Sequence, residues 1–194
     1  MRLVMLAEPA ELGRPLFVDF VNTLHWYEGV PIELIGTDPD LAAWLAERGL
    51  PAQHLDGCLP ALHALRAHAR AATEALATGR TPSRADMDAL NAALGAPAGR
   101  IVLVDAETPR PQLAFQTEAD DGVLAAFRVA LSFATFFESG ERQRLKLCAN
   151  PGCGFAFVDT STNGTRRWCY MRYCGNRLKA RAFRRRKTAA RESR

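Results

Sequence analysis

Four cysteines within 27 consecutive residues constrain this 194-residue chain more than any other feature of it. Cys148 and Cys153 form one C-x4-C pair, fifteen residues intervene, and Cys169 and Cys174 form a second pair. In a reducing compartment this layout reads as a tetrahedral metal site, because each short turn brings two thiolates to the same side. Pro151 and Gly152 favour such a turn in the first pair, and Gly154 lets the backbone bend so that amides can face the sulfurs. Zinc is the expected ion; an iron–sulfur cluster or two disulfides would use the same spacing. Four Cys ligands leave no open coordination position, so one structural Zn²⁺ per chain is expected. Cys58 stands apart between Gly57 and Leu59 and reads as a small buried hydrophobe.

The charge follows the cysteines. Residues 1–140 hold 10 Lys and Arg against 18 Asp and Glu, and residues 141–194 hold 15 against 3. The net charges are −8 and +12, and the chain's +4 is their sum. A basic segment beside a metal site is the usual mark of a polyanion-binding module. A solvated basic tail, or one that meets the acidic part of a second copy in a homodimer, is the plainer reading.

Between the two pairs, Phe155–Asp159 alternates as a strand, and Asn163-Gly164 signals a hairpin turn. Thr165–Cys169 is then expected to return as the second strand. From Cys169 onward the pattern is helical, with Gly175 easing a bend and Asn176 as a candidate cap. Knuckle, hairpin and helix is the treble-clef plan. Cys174, Leu178 and Ala182 share one helix face, and Arg177, Arg181, Arg184 and Arg185 share another. Lys179, Arg186 and Lys187 widen that basic surface, and Arg166 and Arg167 precede the second pair. Arg and Asn on a helix can read base edges in a major groove, which singles out Asn176, Arg177 and Arg181. Tyr170, Tyr173 and Phe183 are aromatic rings of the kind that stack on RNA bases.

The run Cys169-x4-Cys174-Gly175-Asn176-Arg177-x-Lys179-Ala180-Arg181 resembles the CGNR zinc finger, which is named for the residues found here as Cys174 to Arg177. Asp159-Thr160-Ser161, Asn163, Arg166-Arg167-Trp168 and Met171 match the same pattern. In that family the finger follows a domain called ABATE, described as a stress-induced transcription regulator. Asp19-Phe20-Val21-Asn22-Thr23-Leu24 and Asp40-Leu41-Ala42-Ala43-Trp44-Leu45 are similar to parts of that domain. The resemblance implies a DNA-binding regulator.

The acidic part reads as mostly helical. Phe17, Phe20, Val21 and Leu24 recur at helical spacing. Asp19 and Asn22 lie one turn apart on that helix, as a ligand-contacting pair or as an asparagine that bonds a neighbouring loop. Further helices are expected from Asp38-Pro39 to Gly49, from Leu59 to Thr78, from Thr81-Pro82 to Gly95, and from Asp121 to Glu138. Arg100–Val104 and Gln112–Gln116 read as a hairpin. Ser139-Gly140 marks the boundary. The expected fold class is therefore α+β: a mostly helical domain with a β-hairpin over 1–140, then a small treble-clef-like zinc finger over 141–194.

His25, His54, His63 and His68 form no HExxH or His-x3-His pair, and GxGxxG, P-loop and GxSxG motifs are absent. The chain is thus not expected to be an enzyme. The apolar run before Glu8 and Pro9 is short for an export signal, and no stretch approaches a membrane span, so the expected location is the cytoplasm. The leading expectation is a zinc-dependent DNA-binding transcription regulator whose N-terminal domain senses a ligand or dimerises. The alternative is an RNA-binding or ribosome-associated zinc protein.

Overall fold

The computed structural model describes residues 1–6, 14–105, 111–180, 183–184 and 187. Among the described residues up to 140 lie five helices: α1 Leu16–Val21, α2 Asp38–Ala46, α3 Leu59–Ala77, α4 Arg84–Gly95 and α5 Asp121–Glu138. Seven short strands accompany them: β1 Arg2–Met5, β2 Leu24–Tyr27, β3 Val30–Glu33, β4 Gly99–Val104, β5 Gln112–Thr117, β6 Leu145–Leu147 and β7 Ala156–Val158. They form three antiparallel sheets, ordered β1-β5-β4, β2-β3 and β6-β7. The architecture is α+β, as expected, with a helical N-terminal domain that carries hairpins. No helix among the described residues is long and apolar enough to cross a membrane.

The core is built around α1. All six of its residues are buried, five of them apolar and the sixth Asp19, whose carboxylate is paired with Arg14 and Arg48. Phe17 meets Phe133 edge-on at 5.2 Å and Phe136 at 5.4 Å, both on α5. The first turn of α1 has no side-chain cap of its own; instead the Phe17 N–H donates to Ser132 Oγ of α5 at 3.1 Å. From α3, Leu62, Leu65, Ala69 and Ala72 close the same core, on the face that periodicity assigns to the interior.

Several boundaries shift for local reasons. The first helix ends at Val21, and Leu24, expected to extend it, opens β2 instead. The cap of α4 is Ser83, whose hydroxyl accepts from Asp86 N, so the helix starts after Pro82 and not at Thr81. Strands β1 and β2–β3 add to the single hairpin that the sequence pattern gives within residues 1–140. Glu28-Gly29 turns β2 into β3, and Pro31 lies opposite Trp26, a position that spares the hairpin a missing donor. The Trp26 N–H faces away from β3 and bonds Cys153 O at 3.0 Å.

The C-terminal strands are not a separate layer. Leu145 is 2% exposed and Ala156 1% exposed, and both belong to the same apolar cluster as Phe17, Leu62 and Phe133. The partner of β7 is β6, not the segment after Asn163-Gly164. That later segment is not a strand: Arg167 O accepts from Ala149 N, while the Arg166 N–H is taken by the Asp159 carboxylate. With β6 already paired to β7, the returning chain is tied to the knuckle and not to the sheet.

Candidate metal centre and nucleic-acid interface

Cys148 follows β6, and Cys153 closes a turn in which its N–H bonds Asn150 O at 3.0 Å. Cys169 precedes a π-helical turn, Met171–Gly175, that contains Cys174. The four Sγ atoms all lie within 4.8 Å of one another and all four residues are buried. Cys153 Sγ is 3.6 Å from Cys169 Sγ, which is 3.7 Å from Cys174 Sγ. A tetrahedron with metal–sulfur bonds of about 2.3 Å has edges of about 3.8 Å. Among the described residues this is the one group of Cys, His, Asp and Glu close enough to share an ion.

The charge state of the sulfurs points the same way. Thiols of Cys153 and Cys169 donate to Cys148 and pull it down to about 2. The thiolate so formed pushes Cys153 up to about 12, and raises Cys169 as well. Left to themselves, Cys153 and Cys169 keep their protons. Full deprotonation needs a cation among them, and a set of four thiolates with no open vertex suits a structural metal ion. Asn150, which the spacing did not single out, supports the set: its Nδ2 donates to Cys174 Sγ at 3.5 Å and its Oδ1 accepts from Gly152 N.

Around this cluster Phe157, Phe155 and Trp168 form a small apolar shell. Asp159 anchors the returning loop. Its fully buried carboxylate accepts from Lys146 Nζ at 2.6 Å, from Ser161 N at 2.9 Å and from Arg166 N at 2.8 Å. The Lys146 bond leads the causes that hold its pKa far below the usual carboxylate range.

The letters of the Cys174-Gly175-Asn176-Arg177 run have separable tasks. Cys174 is in the sulfur cluster. A Cβ on Gly175 would lie 2.3 Å from Met171 Sδ, so the glycine makes room for a methionine packed against the turn. Asn176 is exposed and helical (φ −63°, ψ −34°), so it continues the helix and does not cap it from outside. Arg177 is ion-paired with Glu28 and lies 4.8 Å from the Tyr27 ring centroid. Residues 176–180, 183–184 and 187 are helical.

The other basic positions divide. Arg167 and Lys179 are exposed, as is Arg184, which has an interaction within the chain. Arg166 is partly buried and structural: its Nε donates to Trp168 O at 2.9 Å and its guanidinium lies over Phe157. Arg181, Arg185 and Ala182 lie outside the described residues. Arg172, absent from the sequence-based set, is also exposed beside Tyr173, and Lys187 is exposed. Asn176, Lys179, Phe183 and Lys187 recur at helical spacing and are all exposed, so they make one stripe.

Asp19 and Asn22 are joints within the fold. Asp19 is 6% exposed and holds Arg14 and Arg48, the latter at 2.6 Å. Asn22, also buried, bonds the backbone of Ala156 at both ends of its amide. Their polar atoms bond within the chain. Three of the four histidines are likewise occupied: His63 with Ile35 O, His68 with Asp86, and His25 with Asn22 O.

The seam between helical domain and knuckle runs through Arg70 of α3. Its guanidinium donates to Val21 O at 2.6 Å, to Leu24 O and to Gly154 O at 2.9 Å, and it lies over the Trp26 ring. Gly154 has φ +64°, and a Cβ there would sit 2.7 Å from Trp26 Cε3. Its freedom serves this close approach and, as the sequence suggested, lets the next amide, Phe155 N–H, bond the Cys153 sulfur.

A search of the curated proteins found no match. Two family models do match. Residues 144–187 match the CGNR zinc finger, and residues 14–140 match ABATE, described as "Putative stress-induced transcription regulator". Since the second match spans more than half of the residues and the first follows it directly, the chain belongs to the ABATE family and carries a CGNR zinc finger after the ABATE domain.

Proposed function

We propose that the protein is a zinc-dependent, DNA-binding regulator of transcription, active in the cytoplasm and without enzymatic chemistry. Residues 1–140 serve as the regulatory part and residues 141–194 as the nucleic-acid-binding part. One structural Zn²⁺ per chain, held by Cys148, Cys153, Cys169 and Cys174, fixes the start of the basic helix. The observation that carries the reading is the exposed stripe Asn176, Lys179, Phe183 and Lys187 on the helix that leaves the sulfur cluster. Asparagine can read an adenine edge, and lysines meet phosphates. Supporting it are the +12 of residues 141–194 and the family's description.

For the regulatory part, an apolar cleft of about 600 Å³ between α3, α4 and α5 offers room for a small molecule, with Leu62, Leu65, Ala93 and Val123 among its walls. Among the described residues, strand β4 is an edge strand with Ile101 and Leu103 exposed, which suits pairing with a second copy. RNA is the second reading. Tyr170, Tyr173 and Phe183 are 44%, 55% and 62% exposed, and rings held out in this way favour stacking on unpaired bases.

The test is a binding selection over random duplex DNA and RNA pools at low salt with the zinc-loaded chain. If about five basic residues meet phosphates, log affinity falls with log salt at a slope of about −4.5 on duplex DNA. Lys179→Ala is expected to weaken all sequences alike and flatten that slope by about one unit. Absence of binding to either pool would remove the reading, and self-association of the acidic and basic parts would replace it.

A further inference from the structure

Arg177 is held by the other family segment. Its guanidinium is paired with the Glu28 carboxylate and lies over Tyr27, and its side chain is 28% exposed. Both partners sit at the tip of the β2–β3 hairpin, whose base is fixed to α3 by Arg66 through Glu33 and Thr23. Glu28 has φ +57° and Gly29 φ +84°. Two left-handed residues between the paired Tyr27 and Val30 make a two-residue turn of the I′ kind, whose first position favours Asn, Asp or Gly. Glu28 is the one non-glycine residue with positive φ among the described residues. Hairpin closure does not call for a glutamate there; what the residue supplies is a carboxylate that reaches Arg177. Beside the pair opens a cleft of about 210 Å³, lined by Glu28, Gly29, Asn150, Gly152, Arg177 and Leu178.

We propose that Glu28 is a built-in competitor for nucleic acid, holding Arg177 until a backbone phosphate displaces its carboxylate. The proposal rests on the reading of the C-terminal part as nucleic-acid-binding. Carboxylate and phosphate present similar paired oxygens to a guanidinium, so each can take the place of the other on Arg177. The adjoining cleft has room for a phosphate while Tyr27 keeps the arginine in position. The affinity of the finger is thereby set partly by the ABATE domain, and the coupling is reciprocal: nucleic acid bound at Arg177 frees the hairpin tip.

Fluorescence anisotropy with the zinc-loaded full chain and a labelled random-sequence duplex at low salt tests this. Glu28→Gln removes the charge and keeps the side-chain length; Glu28→Asn removes both and suits the turn. Both are expected to bind about three- to tenfold tighter than wild type, irrespective of sequence. In an Arg177→Ala background the gain from Glu28→Gln is expected to vanish, since the two residues act as one pair. Wild-type binding with no gain in either Glu28 variant overturns the proposal alone. So does a gain of the same size without Arg177, which would mark a general charge effect. No binding by wild type or by Glu28→Gln overturns the nucleic-acid reading, and this proposal with it.

Discussion

Asn22 and Ala156 are joined by a two-point hydrogen bond: Asn22 Nδ2 donates to Ala156 O at 2.8 Å, and Ala156 N donates to Asn22 Oδ1 at 2.9 Å. A side-chain amide thus pairs with a strand residue as a neighbouring strand would, from just after α1 to the start of β7. Both residues are nearly inaccessible to water, so neither partner has a substitute. Asn22→Ala is expected to cost about 1–3 kcal/mol. Asn22→Asp, which sets a carboxylate against the Ala156 carbonyl, is expected to cost at least as much. Denaturant midpoints of the two variants check this, and wild-type stability in both would discount the joint.

Removing the metal is expected to loosen the chain in part. The sequence alone suggests that the whole of 141–194 unfolds on chelation, because so small a module cannot sustain its own core. Yet Leu145 and Ala156 are buried in the main core, and β6 pairs with β7 there. Hydrogen exchange after chelation is therefore expected to show lost protection at 148–154 and 165–177 and retained protection at β6 and β7. Uniform loss from residue 141 onward would show that the shared core adds little.

Asp159 is expected to shape the acid side of the stability curve. Its folded-state pKa is depressed below the ordinary carboxylate value, so its contribution is full above that value and is lost as pH falls through the lowered one. The loss therefore begins below about pH 4. Melting temperatures of wild type and Asp159→Asn are expected to differ most near neutrality and to converge on acidification. Acid also strips the thiolate site in both proteins, so the difference between the two curves is the quantity to follow. A constant difference from pH 7 to pH 2 would contradict the assignment.

Gly154→Ala is expected to cost about 1–3 kcal/mol and to shift tryptophan emission to the red, because a methyl group would meet Trp26 in a left-handed backbone position. Gly164 has φ +60° with open space around it. Gly164→Ala therefore carries the backbone penalty alone, about 1–2 kcal/mol, and leaves the emission unchanged. Equal spectra from the two variants would mean that Trp26 does not depend on the close approach.

What the sequence makes legible is what spacing encodes. The sulfur set follows from two C-x4-C pairs, and the spans of α3 and α5 follow from apolar residues at three and four apart. The β2–β3 hairpin escapes because its turn is Glu-Gly, not Asn-Gly, and because Pro31 interrupts the strand pattern. The pairing of β7 escapes for a different reason. Asn163-Gly164 is a strong local turn signal, but the competing partner Leu145–Leu147 is only three residues long and carries no periodicity to read. Arg70 and Arg177 look like surface charges in one dimension. Only the fold shows that the first is bound to three carbonyls and the second to a carboxylate far upstream.

Arg70 has one more consequence, for transplantation. Because its donors reach Val21, Leu24 and Gly154 together, the knuckle is fitted to this host. Residues 144–187 cut out and fused to a foreign protein would arrive with the apolar side of β6 and β7 bare and with the Gly154 carbonyl unmet. A graft that behaves would have to bring its own counterparts of Asn22, Trp26 and Arg70. By the same logic, a recombination breakpoint near Gly140, which looks like a natural seam in the chain, cuts through one shared apolar cluster, and chimaeras made there are expected to aggregate unless both sides come from closely matched parents.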